Sequence, residues 1–213
     1  MNMKTTGRNI VLKINSIFYT IQGEGSFAGT PAIFIRLSDC NLACSFCDTE
    51  FLSGKQMTEE EILKETLCSS YSCKFIVLTG GEPSMQDISL LCELLHEKGY
   101  YITMETNGMF EPVTNKIDWI CLSPKSSFKH IKLKECHDLK FIVKKGDSLP
   151  KIPTGFKVRH VFISPENETS GEKIGLKACS GLSKENLDYC VDLIKENPVW
   201  RLNLQTHKII GVE

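Results

Sequence analysis

The chain lacks a membrane-spanning signature: no stretch approaches the roughly 20 consecutive apolar residues that cross a bilayer. Its first residues, MNMKTTGRNIVLKINSIFYT, also lack the unbroken apolar run and small-residue cleavage site of a secretion signal. A cytoplasmic location and no membrane contact are therefore expected. Neither sign of charge dominates. The 25 basic and 26 acidic residues leave a formal net charge of -1, which gives no electrostatic case for a nucleic-acid partner. No repeat, low-complexity tract or linker divides the 213 residues. That length suits one domain, 1–213, and its 41% hydrophobic content can build a sizeable core.

Cysteine, by contrast, is plentiful, with ten residues. A disulfide framework belongs mostly to shorter secreted chains with poor cores. Cys68, Cys73, Cys92, Cys121, Cys136, Cys179 and Cys190 are scattered, several in apolar periodic contexts. There a free thiol serves as a small hydrophobe. Cys40, Cys44 and Cys47 crowd into one short segment and need a separate reason.

Apolar, β-branched runs predict strands at Asn9–Tyr19, Ala32–Leu37, Phe75–Thr79, Tyr101–Glu105, Trp119–Leu122, Leu139–Val143, Val158–Ile163 and Trp200–Leu204. Thr58 and Glu61 form a capping box ahead of a helix to about Cys68. A second helix is expected from Asp87 to Lys98, ending at Gly99. Ser183 caps a third, with Leu187, Cys190, Val191 and Ile194 on one face and Pro198 beyond its end. Ser123–Cys136 and Pro165–Gly181 are poorly patterned. The alternation favours βα units in an α/β fold.

The segment Leu37-Ser-Asp-Cys-Asn-Leu-Ala-Cys-Ser-Phe-Cys-Asp-Thr49 carries the spacing CxxxCxxC just after a predicted strand. Three thiolates on one loop can hold three irons of a cubane and leave the fourth iron without a protein ligand. Such an open position is what substrate chemistry at a metal needs. A zinc knuckle would call for a second CxxC or a nearby histidine, and the histidines lie from His96 to His207. Three unrelated core thiols on one polar loop are a poorer explanation.

Other strand ends carry ligand-type residues. Phe75-Ile-Val-Leu-Thr-Gly-Gly-Glu-Pro83 runs into a Gly-Gly turn that allows close approach of a ligand to the backbone. Met104-Glu-Thr-Asn-Gly108 and Ser123-Pro-Lys125 end two further strands, where contacts collect in α/β folds. The loop Tyr19-Thr-Ile-Gln-Gly-Glu-Gly25 precedes the cysteines, Arg36 sits inside an apolar strand, and Leu204-Gln-Thr-His-Lys208 lies near the C-terminus.

The cysteine spacing, with Phe46 before its last member, resembles the cluster loop of the radical S-adenosylmethionine superfamily. QGEG, CDT, TGGEP, ETNG, SPK and QTHK, in that order, resemble its 7-carboxy-7-deazaguanine synthase family over nearly the whole chain. The resemblance implies an incomplete TIM-like β/α barrel of the radical SAM type. It implies a 4Fe–4S cluster at Cys40, Cys44 and Cys47 and S-adenosyl-L-methionine on the open iron. It implies, too, Mg²⁺ near Thr49 and conversion of 6-carboxy-5,6,7,8-tetrahydropterin to 7-carboxy-7-deazaguanine with loss of ammonia, in queuosine and deazapurine biosynthesis. By the same resemblance Phe46, Asp48, Gly80, Gly81, Glu82, Glu105, Ser123, Pro124, Lys125, Ser164 and Asn167 meet the nucleotide. Ile21, Gln22, Gly23, Glu24, Arg36, Thr79, His207 and Glu213 meet the pterin. A flavodoxin- or ferredoxin-like electron donor and a homodimer are expected on the same ground.

Two alternatives stay open at the level of sequence. A radical activating enzyme, which makes a glycyl radical on a partner protein, shares the cysteine loop. A zinc or electron-transfer module would have no catalysis of its own.

Overall fold

A computed structural model of the chain describes residues 11–45, 47, 49–69, 72–111, 114–167 and 181–212. Strand β1 (Val11–Ile21) runs antiparallel to β2 (Pro31–Leu37), and β3 (Lys55–Thr58) pairs antiparallel with β1. Helix α1 (Glu59–Ser69) leads to β4 (Phe75–Gly80), and α2 (Ser89–Glu97) leads to β5 (Tyr101–Thr106). Strands β6 (Trp119–Leu122), β7 (Glu135–Val143) and β8 (Lys157–Pro165) follow with no α-helix between them among the described residues. Then α3 (Lys184–Glu196) carries the chain to β9 (Trp200–Leu202) and the short α4 (Thr206–Ile210). The sheet order is β3-β1-β2-β4-β5-β6-β7-β8-β9, parallel from β2 onward. Its end strands do not pair with each other. This is the incomplete barrel that the sequence led us to expect.

Local chemistry accounts for the helix boundaries. Thr58 N donates to Glu61 Oε2 at 2.8 Å while Glu61 N donates back to Thr58 Oγ1 at 3.3 Å, the reciprocal cap of α1. Ser183 Oγ accepts from Asn186 N at the start of α3. The buried face of α3 keeps Cys190 and Ile194 as expected but not Leu187 and Val191. It centres on Asn186 and Cys190, with Tyr189, Leu193 and Ile194 packed behind, because Asn186 bonds Lys145 N and Glu166 O across the loops beside β7 and β8.

Several strand limits also move. Asn9 and Ile10 lie outside the described residues, and β1 extends to Ile21. Strand β7 begins at Glu135, well before Leu139, since pairing with β8 recruits polar residues that show no apolar pattern. The polar β3, Lys-Gln-Met-Thr, exists for the same reason and gave no sequence signal. Strand β9 stops at Leu202, and the QTHK segment is a helical turn.

Side chains alternate across the sheet and divide its two faces. Ile33, Ile35, Leu37, Ile76, Leu78, Ile102 and Met104 meet Ile62, Leu91 and Leu95 in one core under α1 and α2. Leu139, Phe141, Val143, Val161 and Ile163 form a second core with Cys190 and Trp200. Each fully buried aliphatic side chain contributes about 1.5–3 kcal/mol. The opposite face turns from aromatic to polar along the strands. At the strand starts, Phe27 lies 4.8 Å from the ring of Phe75 and 5.0 Å from Trp119, and Phe75 stacks on Tyr101. Phe27 comes from a 3₁₀ turn, Gly25–Phe27, after β1. Buried Asp138 anchors that turn by accepting from Ser26 N at 2.8 Å and Ser26 Oγ at 2.6 Å.

Candidate active site

A cavity of about 240 Å³ opens at the carboxyl ends of the parallel strands. One side is the loop after β2, with Cys40, Cys44, Cys47 and Thr49 on the wall. The ends of β4 and β5 add Thr79, Gly80, Gly81 and Glu105. Ser123 and Lys125 follow β6, Lys140 comes from β7, and Ser164 and Asn167 lie at and beyond the end of β8. Glu24 closes the far side, with Asn203 and Gln205. Residues distant in sequence meet here because parallel strands bring their ends to one edge.

The Gly-Gly turn after β4 has a steric reason. Gly81 N donates to Leu37 O at 3.0 Å and Glu82 N to Asp39 O at 2.9 Å, so the turn lies directly on the start of the cysteine loop. A Cβ on Gly81 would sit 1.8 Å from Asp39 O, and one on Gly80 would sit 1.9 Å from Leu37 O. The close approach is therefore first of all chain to chain. Glu82 has its carboxylate fully buried, off the cavity wall. It accepts from Ser84 N, Thr106 Oγ1 and Asn107 N and so ties the β4 turn to the β5 turn. Asn107 in turn donates to Asn41 Oδ1 at 2.9 Å, inside the cysteine loop.

A buried charge network forms the opposite wall. Lys140 Nζ donates to Glu24 Oε2 at 2.8 Å and Glu105 Oε2 at 2.7 Å. Gln205 Nε2 donates to Glu24 Oε1 at 3.0 Å, and Gln22 Nε2 to Glu105 Oε1 at 3.3 Å. Burial alone would raise the Glu24 carboxyl, but the Lys140 ammonium and the Lys140 and Gln205 hydrogen bonds hold it at about 2. Burial also works against the Lys140 ammonium, yet Cys121, Glu105 and Glu24 around it drive its pKa well above the ordinary range. Burial pushes the Cys121 thiol far up, which leaves the two carboxylates as the countercharge.

Other sequence candidates sit behind or beside the wall. The Gly23 carbonyl accepts from Thr206 N at 3.1 Å, and a Cβ on Gly23 would sit 2.0 Å from His207 Nδ1. The QGEG loop and the QTHK turn thus press together. Arg36 pairs in register with Thr79, placing both on the cavity face of the sheet. Its guanidinium lies 5.1 Å from the Phe18 ring centre, and its buried Nε has no hydrogen-bond partner among the described residues. Ile21 and Pro124 are off the wall. Phe46, Asp48 and Glu213 lie outside the described residues.

Comparison with known proteins places this geometry in a family. The Radical SAM superfamily profile matches residues 35–134, from within β2 to the threshold of β7. The 7-carboxy-7-deazaguanine synthase of Bacteroides thetaiotaomicron is 40% identical over 200 residues, covering 94% of this chain and 98% of that protein. The chain belongs to the 7-carboxy-7-deazaguanine synthase family. The synthase of Rickettsia prowazekii is 36% identical, with 98% of this chain and 92% of that protein covered. The crystal structure of QueE from Escherichia coli shares the fold, with a TM-score of 0.68 over 91% of this chain and 93% of that chain at 24% identity.

Membership in this radical SAM synthase family implies an iron–sulfur cluster and S-adenosylmethionine, and the donor set suits them. Cys40, Cys44 and Cys47 are free thiols on one wall, with Cys47 N bonded to Cys44 O at 3.1 Å. Burial, partly opposed by a hydrogen bond to the Leu42 backbone, raises the Cys40 thiol, and Glu82, Cys44 and Cys47 raise it further. A cationic iron core would compensate the Cys40 thiolate that burial disfavours. Among the described residues no three His, Cys, Asp or Glu side chains converge on a single ion-sized point. A cubane does not need such convergence, because each thiolate binds its own iron.

Sequence reasoning missed Lys140 and Asn203, and within the QTHK segment it singled out His207 where Gln205 lines the cavity. A lysine inside Leu139-Lys-Phe-Ile-Val143 was a usable signal, since an ammonium in an apolar strand needs buried partners. Asn203, which bonds Gly25 N, Glu24 and Ser164, gave no comparable sign.

Proposed function

We propose that the chain converts 6-carboxy-5,6,7,8-tetrahydropterin to 7-carboxy-7-deazaguanine with loss of ammonia, for queuosine and deazapurine synthesis. The observation that carries this reading is a single cavity joining three thiols on one wall to the Glu24–Lys140–Glu105 network on the other. Relatives bearing the synthase name match over nearly the full chain, which disfavours the activating-enzyme alternative.

In this reading Cys40, Cys44 and Cys47 would hold the cluster, which with bound nucleotide would supply the radical chemistry of the reaction. The protein's own part is binding, orientation and exclusion of water. The backbone of Gly80 and Gly81 faces the methionine end of the nucleotide, and Glu105 accepts from its ribose hydroxyls. Ser123, Lys125, Ser164 and Asn167 line the remaining length. Glu24 and Gln22 address the amino and amide edge of the pterin, with Thr79 and His207 close by. Arg36 supplies a planar fork for the substrate carboxylate. Thr49 offers a hard oxygen to Mg²⁺, which keeps few protein ligands. The protein acts in the cytoplasm as a homodimer and takes its electron from a flavodoxin- or ferredoxin-like donor.

The test is an anaerobic assay of iron-loaded protein with the carboxylated tetrahydropterin. Magnesium-dependent product without net consumption of the nucleotide supports the reading, and no turnover with a reduced cluster rejects it. Colourless protein holding one zinc per chain would favour a zinc module instead.

A further inference from the structure

Lys140 is the least exposed charged group of the cavity, with 7% of its side chain accessible. Its ammonium touches two carboxylates that reach it from different parts of the chain. Glu24 stands on the loop after β1, and Glu105 at the end of β5. Under the functional reading above, on which this inference rests, Glu24 serves the pterin and Glu105 the nucleotide. The ammonium therefore stands at the boundary between the two ligands.

The two acids are joined a second time. Gln22 Nε2 donates to Glu105 Oε1 at 3.3 Å while Gln22 Oε1 accepts from Glu24 N at 3.1 Å. The Glu105 carboxylate is thus tied to the Glu24 side chain through Lys140 and to the Glu24 backbone through Gln22. Only the Lys140 route reaches both carboxylates, with a charge-assisted bond to each at 2.8 and 2.7 Å. Without the cation, two carboxylates facing one small buried volume would repel, and one would swing away or take up a proton. Each would then lose the fixed orientation that a ligand hydroxyl or amine needs.

We propose that Lys140 is a positioning residue that couples the nucleotide and pterin subsites, so that filling one prepares Glu24 or Glu105 for the other. The consequence is control over radical release. Nucleotide cleavage becomes productive when the pterin has drawn Glu24, Lys140 and Glu105 into register. A coupling of this kind is an equilibrium quantity and acts in both directions.

The experiment uses iron-loaded full-length protein under anaerobic conditions. Nucleotide affinity is measured by equilibrium dialysis with the cluster oxidised, with and without saturating carboxylated tetrahydropterin. With the cluster reduced, 5′-deoxyadenosine released per product formed is then counted. In the wild type the pterin should raise nucleotide affinity on the order of tenfold. In Lys140→Met the gain should fall below about twofold, and unproductive 5′-deoxyadenosine per product should rise about tenfold, both being the loss of that coupling. Lys140→Arg, which keeps a cation between the acids, should restore both.

A Lys140→Met protein with wild-type iron content and unchanged coupling overturns the proposal. So does a Lys140→Arg protein as uncoupled as Lys140→Met. Should Lys140→Met fail to load iron, Lys140→Gln carries the same test: coupling lost supports the proposal, and coupling kept overturns it. Failure of the wild type to make product would instead remove the pterin reading itself.

Discussion

Substitution of Gly81 by alanine tests how the site is built. Its backbone does not lie in the left-handed region, so the only change is steric. The new methyl would sit 1.8 Å from Asp39 O, 2.4 Å from Asp39 C and 3.0 Å from Cys40 N. All three are backbone atoms with no rotamer to change. Restoring an ordinary contact of about 3.4 Å requires the turn and the cysteine loop to part by about 1.5 Å. The bonds Gly81 N to Leu37 O, 3.0 Å, and Glu82 N to Asp39 O, 2.9 Å, cannot survive that separation. Losing two such bonds costs about 1–3 kcal/mol, and the overpacking adds about as much. We expect unfolding free energy to fall by about 3 kcal/mol in urea titration. Because Cys40 moves with the loop, nucleotide cleavage should fall about 100-fold, the usual cost of a misplacement near 1 Å. Gly146→Ala is the control. Its Cβ meets nothing within 4 Å, and only its φ of +93° is strained, so about 1 kcal/mol is lost with activity intact. A Gly81→Ala protein with full iron content and cleavage within twofold of wild type would refute the argument.

Three more expectations can be checked. Alanine at Cys40, Cys44 or Cys47, made singly, should reduce bound iron and abolish 5′-deoxyadenosine formation; retained iron and cleavage in any of them would contradict the cluster assignment. Asp138→Ala leaves the Ser26 amide without its acceptor and the Ser26 hydroxyl with His160 Nδ1 alone, and should cost about 1–3 kcal/mol by denaturant unfolding, whereas an unchanged midpoint would mean that the Phe27 turn is held otherwise. Glu24 has its folded pKa depressed from 4.5 to about 2, so its contribution to stability is complete above pH 4.5 and disappears as pH falls through 2. Glu24→Gln should therefore flatten the loss of unfolding free energy between those limits, and an unaltered acid profile would show that Lys140 and Glu24 do not interact as described.

Much of the site was legible because its chemistry is local in sequence. Three cysteines within one loop stand out by spacing, and all three line the cavity; the Gly-Gly pair marks a turn that tolerates no side chain. Glu105, Ser123 and Lys125 could be placed at strand ends because apolar runs end just before them. The capping box of Thr58 and Glu61 is complete within four residues, and α1 starts where it indicates. Such features are decided by neighbours on the chain, whatever the rest of the molecule does.

Other features depend on which strands become neighbours and in what register. Nothing near Lys140 in sequence predicts that its ammonium meets Glu24 and Glu105. Their meeting follows from β5, β6 and β7 lying side by side with the loop after β1 folded over their ends. The contact of Gly23 with His207, the Asp138 anchor of Ser26 and the bonds of Asn203 arise in the same way. The sequence by itself determined which polar and thiol side chains stand at strand ends and the edge of the sheet on which they gather. Tertiary structure alone decided which charge faces which, because a buried ion pair depends on distances that only the packed sheet sets.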